Sequence, residues 1–440
     1  MESTCNPLYI KLLNYFRPVL AGLFLLVTLF LSNVFGFDYN PERISELING
    51  KDKNQIIKNE DLISGSLSFT TDETCISNSE IIIVTVPTPV NIDNSPDVSF
   101  LKDASKMIGI QLSNNRKKSH KPIILYESTT FPGCTEDICI PIIEEFSTKK
   151  CGEGFDIGYS PERTNFGDNN HNLESIVKVV SAQKESVARE ITEIYSKIIK
   201  AGIYIAPSIK VAEAAKVIEN IQRDLNISLM NELAIIFDRL DINTSEVIKT
   251  ASTKWNFIPF KPGLVGGHCI PVDPYYLTHI AEKNGYVSEV ILSGRKINDQ
   301  MHKFVVKKIE EFIDCNFKGK KSSYQIDILI LGLSFKKNVS DTRNSKVIEL
   351  IKQLNSKKYN VEVYDPLVEK QEISSIKFNS KNSIKNDYDI LILAVDHDEF
   401  INKGYSEIES FIKDGGIFLD LNSVFYDYDH KKESILYWSP

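Results

Sequence analysis

From residue 208 to residue 239 the chain has neither proline nor glycine, and apolar residues recur at Val211, Ala215, Ile218, Ile221, Leu225, Leu229, Leu233 and Ile236. Steps of three or four put them on one stripe, so the stretch predicts a single long helix. It separates two regions with a different rhythm. Upstream, short apolar runs at 81–86, 123–126, 156–159 and 176–180 alternate with helical patterns, as βαβ units do. Downstream a second such series occupies 326–331, 361–364, 390–394 and 417–421. Between them more helix runs to about Phe317, broken by a Pro/Gly-rich loop at 259–274, and 319–323 reads as a polar linker. The plan is α/β, then helical, then α/β.

The 440 residues are 42% hydrophobic and 25% charged, a globular composition that allows two or three domains with cores of their own. Lys plus Arg number 51 against 59 Asp plus Glu, a net charge of −8 with no long basic block, which argues against a nucleic-acid partner. Seven scattered cysteines, an odd number without paired C-x-x-C spacing, give no metal site and point to a reducing, cytoplasmic setting. One stretch complicates that setting. Residues 19–37 (VLAGLFLLVTLFLSNVFGF) carry no charge and follow Lys11 and Arg17, the pattern of an N-terminal membrane anchor. The same residues also read as a buried helix feeding an apolar strand at 34–38, and no small-residue cleavage signature follows them.

The chemistry concentrates at residues 262–274, PGLVGGHCIPVDP. Three glycines let backbone approach a ligand, and three prolines stiffen a loop that holds the Cys269 thiol between an imidazole and a carboxylate. Those are the needs of a nucleophilic cysteine: access, a polarising neighbourhood and fixed geometry. Most single cysteines are simply buried small hydrophobes, and the other six keep that reading.

With this loop the chain resembles the UDP-glucose/GDP-mannose dehydrogenase family. The motifs are GFDYNPER at 36–43, VPTP at 86–89, ESTTFPG at 127–133, GYSPER at 158–163 and EAAKVIEN at 213–220. After the Cys269 loop come Gly294-Arg295, LGLSFK at 331–336, DTRN at 341–344 and VYDP at 363–366. The forms GGHCIPVDPYYL and ENIQRDLNISLMNELA look most like the branch that oxidises UDP-N-acetylhexosamines. The resemblance implies an α/β fold of two Rossmann-like parallel-sheet domains joined by a long central helix and a helical middle domain. Their expected limits are 1–206 for NAD binding, 207–318 for the central helical domain with the cysteine loop and dimer interface, and 322–440 for UDP-sugar binding. The implied reaction is NAD-dependent four-electron oxidation of a nucleotide-sugar C6 alcohol to a carboxylate through a Cys269 thiohemiacetal and thioester. UDP-glucose, UDP-N-acetylmannosamine and GDP-mannose are the alternative substrates.

Roles follow residue by residue from the same resemblance. Lys216 and Asn220, four apart on one helix face, would stabilise oxyanions, and Asp273 would orient water and assist proton transfer. Thr129 and Glu162 match positions that hold the reacting water and the sugar. The alternative for Glu162 is a helix N-terminal acid after Pro161. Arg163, Arg223, Gly266, His268 and Lys336 match substrate-side positions. Arg295 and Arg343 match arginines that meet the substrate, the Arg295 position in a neighbouring subunit, which implies a homodimer or larger. For each the alternative is an ordinary ion pair, and Asp341 favours it at Arg343.

The cofactor side departs from the family. Asp38, Arg43, Pro87, Thr88 and Thr129 match NAD-side positions, Asp38 being the acid expected at the adenosine ribose. The glycine loop that seats the pyrophosphate is missing: before Phe37 the only glycines are Gly22 and Gly36, and its place reads NYFRPVLA. Weak or absent NAD binding is the expectation, and with it a second class of function, a catalytically impaired sugar-nucleotide-binding homologue, tethered to a membrane if 19–37 is an anchor.

Overall fold

The computed structural model describes the backbone of residues 10–13 and, in full, residues 34–52, 67–114, 121–164, 173–368, 376–379, 384–428 and 434–440. The chain divides into two compact units: Met1–Glu219 with Tyr275–Val287, and Asn220–Pro274 with Ser288–Pro440.

The first unit is built on strands β1 (Ile10–Leu13), β2 (Val34–Phe37), β3 (Leu67–Thr70), β4 (Ile81–Val84), β5 (Ile123–Tyr126), β6 (Asp156–Tyr159), β7 (Lys178–Ala182) and β8 (Ile203–Ile205). They form one sheet in the order β3-β2-β1-β4-β5-β6-β7-β8. Every neighbouring pair is parallel except β6 and β7. The order of β1 to β6 is that of a doubly wound dinucleotide fold, whose crevice opens where the order reverses, at the carboxyl ends of β1 and β4. Helices α1 (Pro41–Ile48), α2 (Ser99–Ser113), α3 (Ile140–Ser147) and α4 (Glu185–Tyr195) supply the crossovers. Strands β4 and β5, IIIV and IILY, are buried at every position, as strands covered on both faces must be. One face of the core gathers Val34, Ile81, Ile83, Ile123, Leu125 and Val180 against Val187, Ile191 and Tyr195 of α4.

The uncharged N-terminal run resolves in part. Val34–Phe37 is strand β2, paired to β1 and β3. Residues 14–33, and with them most of the anchor reading, lie outside the described residues. Among the described residues no helix is long and apolar enough to cross a membrane.

The long helix predicted from 208 onward is α5 (Ile209–Arg239). Ser208 Oγ accepts the N–H of Val211 at 3.2 Å, occupying one of the donors that a helix start leaves open. The unit boundary falls inside this helix, between Glu219 and Asn220. Further helices are α6 (Thr244–Ala251), α7 (Asp273–Lys283) and α8 (Glu289–Phe317). Gly319 follows with φ +76° and ends the helical region.

The second sheet contains β9 (Asp327–Leu331), β10 (Asn360–Tyr364), β11 (Tyr388–Leu393), β12 (Ile412–Asp420) and β13 (Leu436–Trp438), in the order β10-β9-β11-β12-β13 and parallel throughout. Helices α9 (Lys346–Ser356), α10 (Asp398–Lys403) and α11 (Tyr405–Glu409) flank it. Side chains alternate across β9 as a two-residue repeat requires: Ile328 and Ile330 join Val305, Ile309, Leu350 and Leu354 on one face. Leu329 and Leu331 face Phe400, Tyr405, Ile408 and Phe418 on the other. The order reverses between β9 and β11, which puts a second crevice at their carboxyl ends. The fold is α/β with two Rossmann-like sheets and helices between them in sequence.

Candidate active site

In the second unit the cysteine loop leads directly into α7. The Cys269 carbonyl accepts the N–H groups of Val272 at 3.1 Å and Asp273 at 2.9 Å, a tight turn that leaves Cys269 half-buried. Asp273, the first residue of α7, is 3% exposed, and its Oδ2 accepts the amide N–H of Asn220 at 2.5 Å. Two predicted site residues separated by 53 positions therefore meet, and both are buried. Asn231 fastens the other end of the loop, donating to Gly263 O at 3.0 Å and accepting Gly263 N–H at 2.8 Å.

Loop and second sheet interlock. Gly267 has φ +90°, and a Cβ there would stand 2.7 Å from the Phe335 ring, so glycine is needed for both conformation and space. Gly266 packs as closely on the Asn344 carbonyl. The His268 ring meets Phe335 edge to face at 5.7 Å, and its Nδ1 is 3.8 Å from Asp341 Oδ2. Asp341 is held by Arg343, whose Nε lies 2.9 and 3.0 Å from the two carboxylate oxygens. Arg343 is therefore a paired arginine here, with a side chain about half exposed. Burial disfavours the Asp341 charge, but the Arg343 bonds and charge outweigh it and hold the carboxyl below the usual carboxylate range.

Arg295, expected at the substrate of a neighbouring subunit, is paired within its own chain. Its side chain is 2% exposed and pairs at 2.6 Å with Asp224 and at 2.6 Å with Asp299 in its own subunit. A guanidinium cannot shed its charge on burial, so it has to be matched where it is buried. Arg223 lies exposed on α5. Beside the loop a cavity of about 230 Å³ opens at the crevice of the second sheet, lined by Gly263, Lys336, Lys337, Lys346, Asp396 and Asn422 among others.

The first unit carries the remaining candidates. Lys216 on α5 is buried. Three residues earlier, Glu213 accepts the N–H of Gly133 at 2.6 Å and of Thr135 at 2.9 Å, with the Thr135 hydroxyl at 2.7 Å. This carboxylate ties α5 to the turn that follows Thr129. Thr129 itself is half-buried, next to Ser128, which donates to Val86 O at 2.6 Å and so links the loops after β4 and β5.

Glu162 lies in a buried group whose other members sequence reasoning did not assign. Lys178 is 3% exposed, 3.1 Å from Glu127 and 3.6 Å from Glu162, and Tyr195 donates its hydroxyl proton to Glu127. Burial pushes the Glu127 carboxyl above the usual carboxylate range despite Lys178. Glu162 Oε1 accepts the N–H groups of Arg163 and Thr164, and among the described residues 161–164 are not helical. Arg163 is engaged with Glu219 at 2.7 Å. The only signal for Lys178 was a lysine within an apolar strand, which has to find partners when buried.

Asp38, the residue after β2, is 1% exposed and accepts Asn40 N–H at 2.8 Å. That puts an acid at the strand end where an adenosine ribose is read. Pro87 and the buried Thr88 follow β4 at the crevice. Arg43 pairs with Asp52 at 2.6 Å and Glu46 at 3.1 Å, so it braces α1. These described residues fit NAD, and the segment after β1 lies outside them.

The comparisons with known proteins agree with this architecture. The family's NAD binding domain matches residues 24–199, its central domain 210–300 and its UDP binding domain 329–427. The chain belongs to the UDP-glucose/GDP-mannose dehydrogenase family. It is 45% identical over 394 residues to the UDP-N-acetyl-D-glucosamine 6-dehydrogenase of Salmonella typhi, covering 89% of this chain and 91% of that one. Protein CapL of Staphylococcus aureus is 43% identical over 396 residues, 89% and 90% of the two chains. In fold, the UDP-D-ManNAc dehydrogenase of Pyrococcus horikoshii superimposes with a TM-score of 0.84 at 24% identity, over 98% of this chain and 99% of that one. By family the chain is an NAD-dependent nucleotide-sugar 6-dehydrogenase, and NAD is its cofactor. The family's NAD domain begins to match only at residue 24, beyond the segment without glycine.

Proposed function

We propose that the chain oxidises the C6 alcohol of a UDP-N-acetylhexosamine, UDP-N-acetylglucosamine foremost, to the uronic acid, working in the cytoplasm as a homodimer or larger assembly. The observation that carries this reading is the Asn220–Asp273 hydrogen bond at the base of the Cys269 turn, with the 45% identical relative naming the substrate. NAD, when bound, accepts one hydride in each of two oxidations. Between them the Cys269 thiolate adds to the C6 aldehyde, forming a C–S bond and moving the carbonyl electron pair onto oxygen. Asn220 and Lys216, on one helix face, stabilise that oxyanion. After the second oxidation C6 is a thioester. Asp273, aligned by Asn220, orients the water that attacks it, the water's proton passes to a carboxylate, and the Cys269 thiolate leaves. Thr129 and Glu162 hold water and sugar. Asp38, Pro87 and Thr88 hold the dinucleotide.

The test is spectroscopic. The purified chain with UDP-N-acetylglucosamine and NAD should release two NADH per sugar, and Cys269→Ser should lower turnover by at least ~10³-fold. Full activity of Cys269→Ser would refute the thioester route. The lack of glycine before Phe37, other than Gly22 and Gly36, favours a second reading, an impaired sugar-nucleotide-binding homologue. UDP-sugar binding without NADH would select it.

A further inference from the structure

The crevice of the second sheet is formed by the loops after β9 and β11, and one buried imidazole joins them. His397, four residues past β11, is 1% exposed. Its Nδ1 accepts the backbone N–H of Asn338, in the β9 loop, at 3.0 Å. A ring nitrogen that accepts a backbone N–H carries no proton, so the proton sits on Nε2. Nε2 lies 3.1 Å from Asp365 Oδ2 and 3.2 Å from Ser334 Oγ. Asp365, just past β10, also accepts the N–H groups of Leu333 at 2.7 Å, Ser334 at 3.0 Å and Leu367 at 2.9 Å. Burial opposes its charge, yet His397 and these N–H groups prevail and hold the Asp365 carboxyl below the usual range. At the root of the loop Gly332 has φ +90°, and a Cβ there would be 2.5 Å from Val395 Cβ, so the two loops also touch directly.

The β9 loop is therefore anchored at Leu333 and Ser334 on one side and at Asn338 on the other. Between the anchors stand Lys336 and Lys337, both lining the cavity together with Lys346 at the start of α9. Lys337 is paired with Asp398 at 2.8 Å and Lys346 with Asp299 at 2.7 Å, so the lysines of this lining are held in place by carboxylates at its edge while Lys336 and Lys337 come from the anchored loop, an arrangement suited to an anion such as a diphosphate.

We propose that His397 is a positioning residue for nucleotide binding: by clamping the β9 loop to the β11 loop it holds Lys336 and Lys337 where they meet the diphosphate of the nucleotide-sugar. The proposal rests on the reading of this cavity as the UDP subsite, and on nothing in the cofactor domain. Neither the Asn338 nor the Asp365 contact is legible in sequence, because the partners are 59 and 32 residues away.

Calorimetric titration of UDP and of UMP into the full chain tests it, alongside amide hydrogen exchange of residues 332–338. His397→Ala should weaken UDP by about tenfold or more, UMP by less, and speed exchange in that segment while the rest of the chain exchanges as before. His397→Asn, whose side-chain oxygen can take the place of Nδ1, should recover part of both effects. Should His397→Ala not fold, His397→Gln, which keeps a donor near Nε2 and loses the Nδ1 acceptor, takes its place. An unchanged UDP-to-UMP ratio, or unchanged exchange at 332–338, overturns the proposal. A wild-type chain that binds neither nucleotide refutes the UDP reading instead, and the exchange measurement still decides whether His397 is the clamp.

Discussion

The Glu213 carboxylate accepts three hydrogen bonds where water does not reach, and the two effects pull its proton equilibrium in opposite directions. Burial prevails over the Thr135 and Gly133 bonds, and the carboxyl is pushed up to about 7 from 4.5. The raised value fixes the sign of its effect on stability. Between those two values the folded chain holds a proton that the unfolded chain has lost, so stability falls as pH rises through the window. Above it both states are ionised and the full cost, about 3 kcal/mol, applies. Urea unfolding should therefore show the wild type gaining on Glu213→Gln as pH drops from 7 to 5, and parallel pH profiles would exclude this assignment. The arginines make a complementary contrast. The Arg343 pair with Asp341, half exposed, is worth about 1 kcal/mol at most, whereas stripping the buried Arg295 of Asp224 leaves Asp299 as its remaining partner and costs more, up to about 3 kcal/mol.

At the scale of elements, the cysteine loop depends on its contact with the second sheet. An alanine at Gly267 must adopt a left-handed conformation and displace the Phe335 ring, a cost of about 1 to 3 kcal/mol in strain. Gly267→Ala should lower the thermal midpoint by several degrees and reduce turnover together with it, and an unaltered midpoint would show that the loop can relax. What was legible here follows from local pattern. The runs at 123–126 and 156–159 coincide with β5 and β6, and α5 begins one residue after its Ser208 signal. Strand β1, IKLL, was missed because four residues with a lysine carry no strand period, and β3, LSFT, for similar brevity. Strand β12 begins at Ile412 rather than near 417 because its KDGG stretch has no apolar signal and forms a bulge between the Tyr388–Ile412 and Ile390–Ile417 pairs. The candidate site was legible where its residues are contiguous, as in the tight turn at Cys269. It was hidden where buried partners converge from afar, as Lys178 does with Glu127 and Glu162.

At the scale of the whole molecule, two sheets with separate cores give two crevices, one between β1 and β4 and one between β9 and β11. Each lies within its own unit, so damage to one need not reach the other. In a doubly wound fold the turn after the first strand seats the pyrophosphate, and in this chain the sequence at 14–21 reads NYFRPVLA where such a turn asks for glycines. The second crevice keeps its lysines, its glycine turn at Gly332 and its His397 clamp. Under the proposed activity, calorimetry on the full chain should find both UDP and NAD binding saturable, and saturable UDP binding with little heat from NAD over the same concentrations would select the impaired homologue instead. An NAD dissociation constant near micromolar, about 8 kcal/mol of binding, would mean that the glycine loop is dispensable here and that Asp38, Pro87 and Thr88 hold the dinucleotide without it.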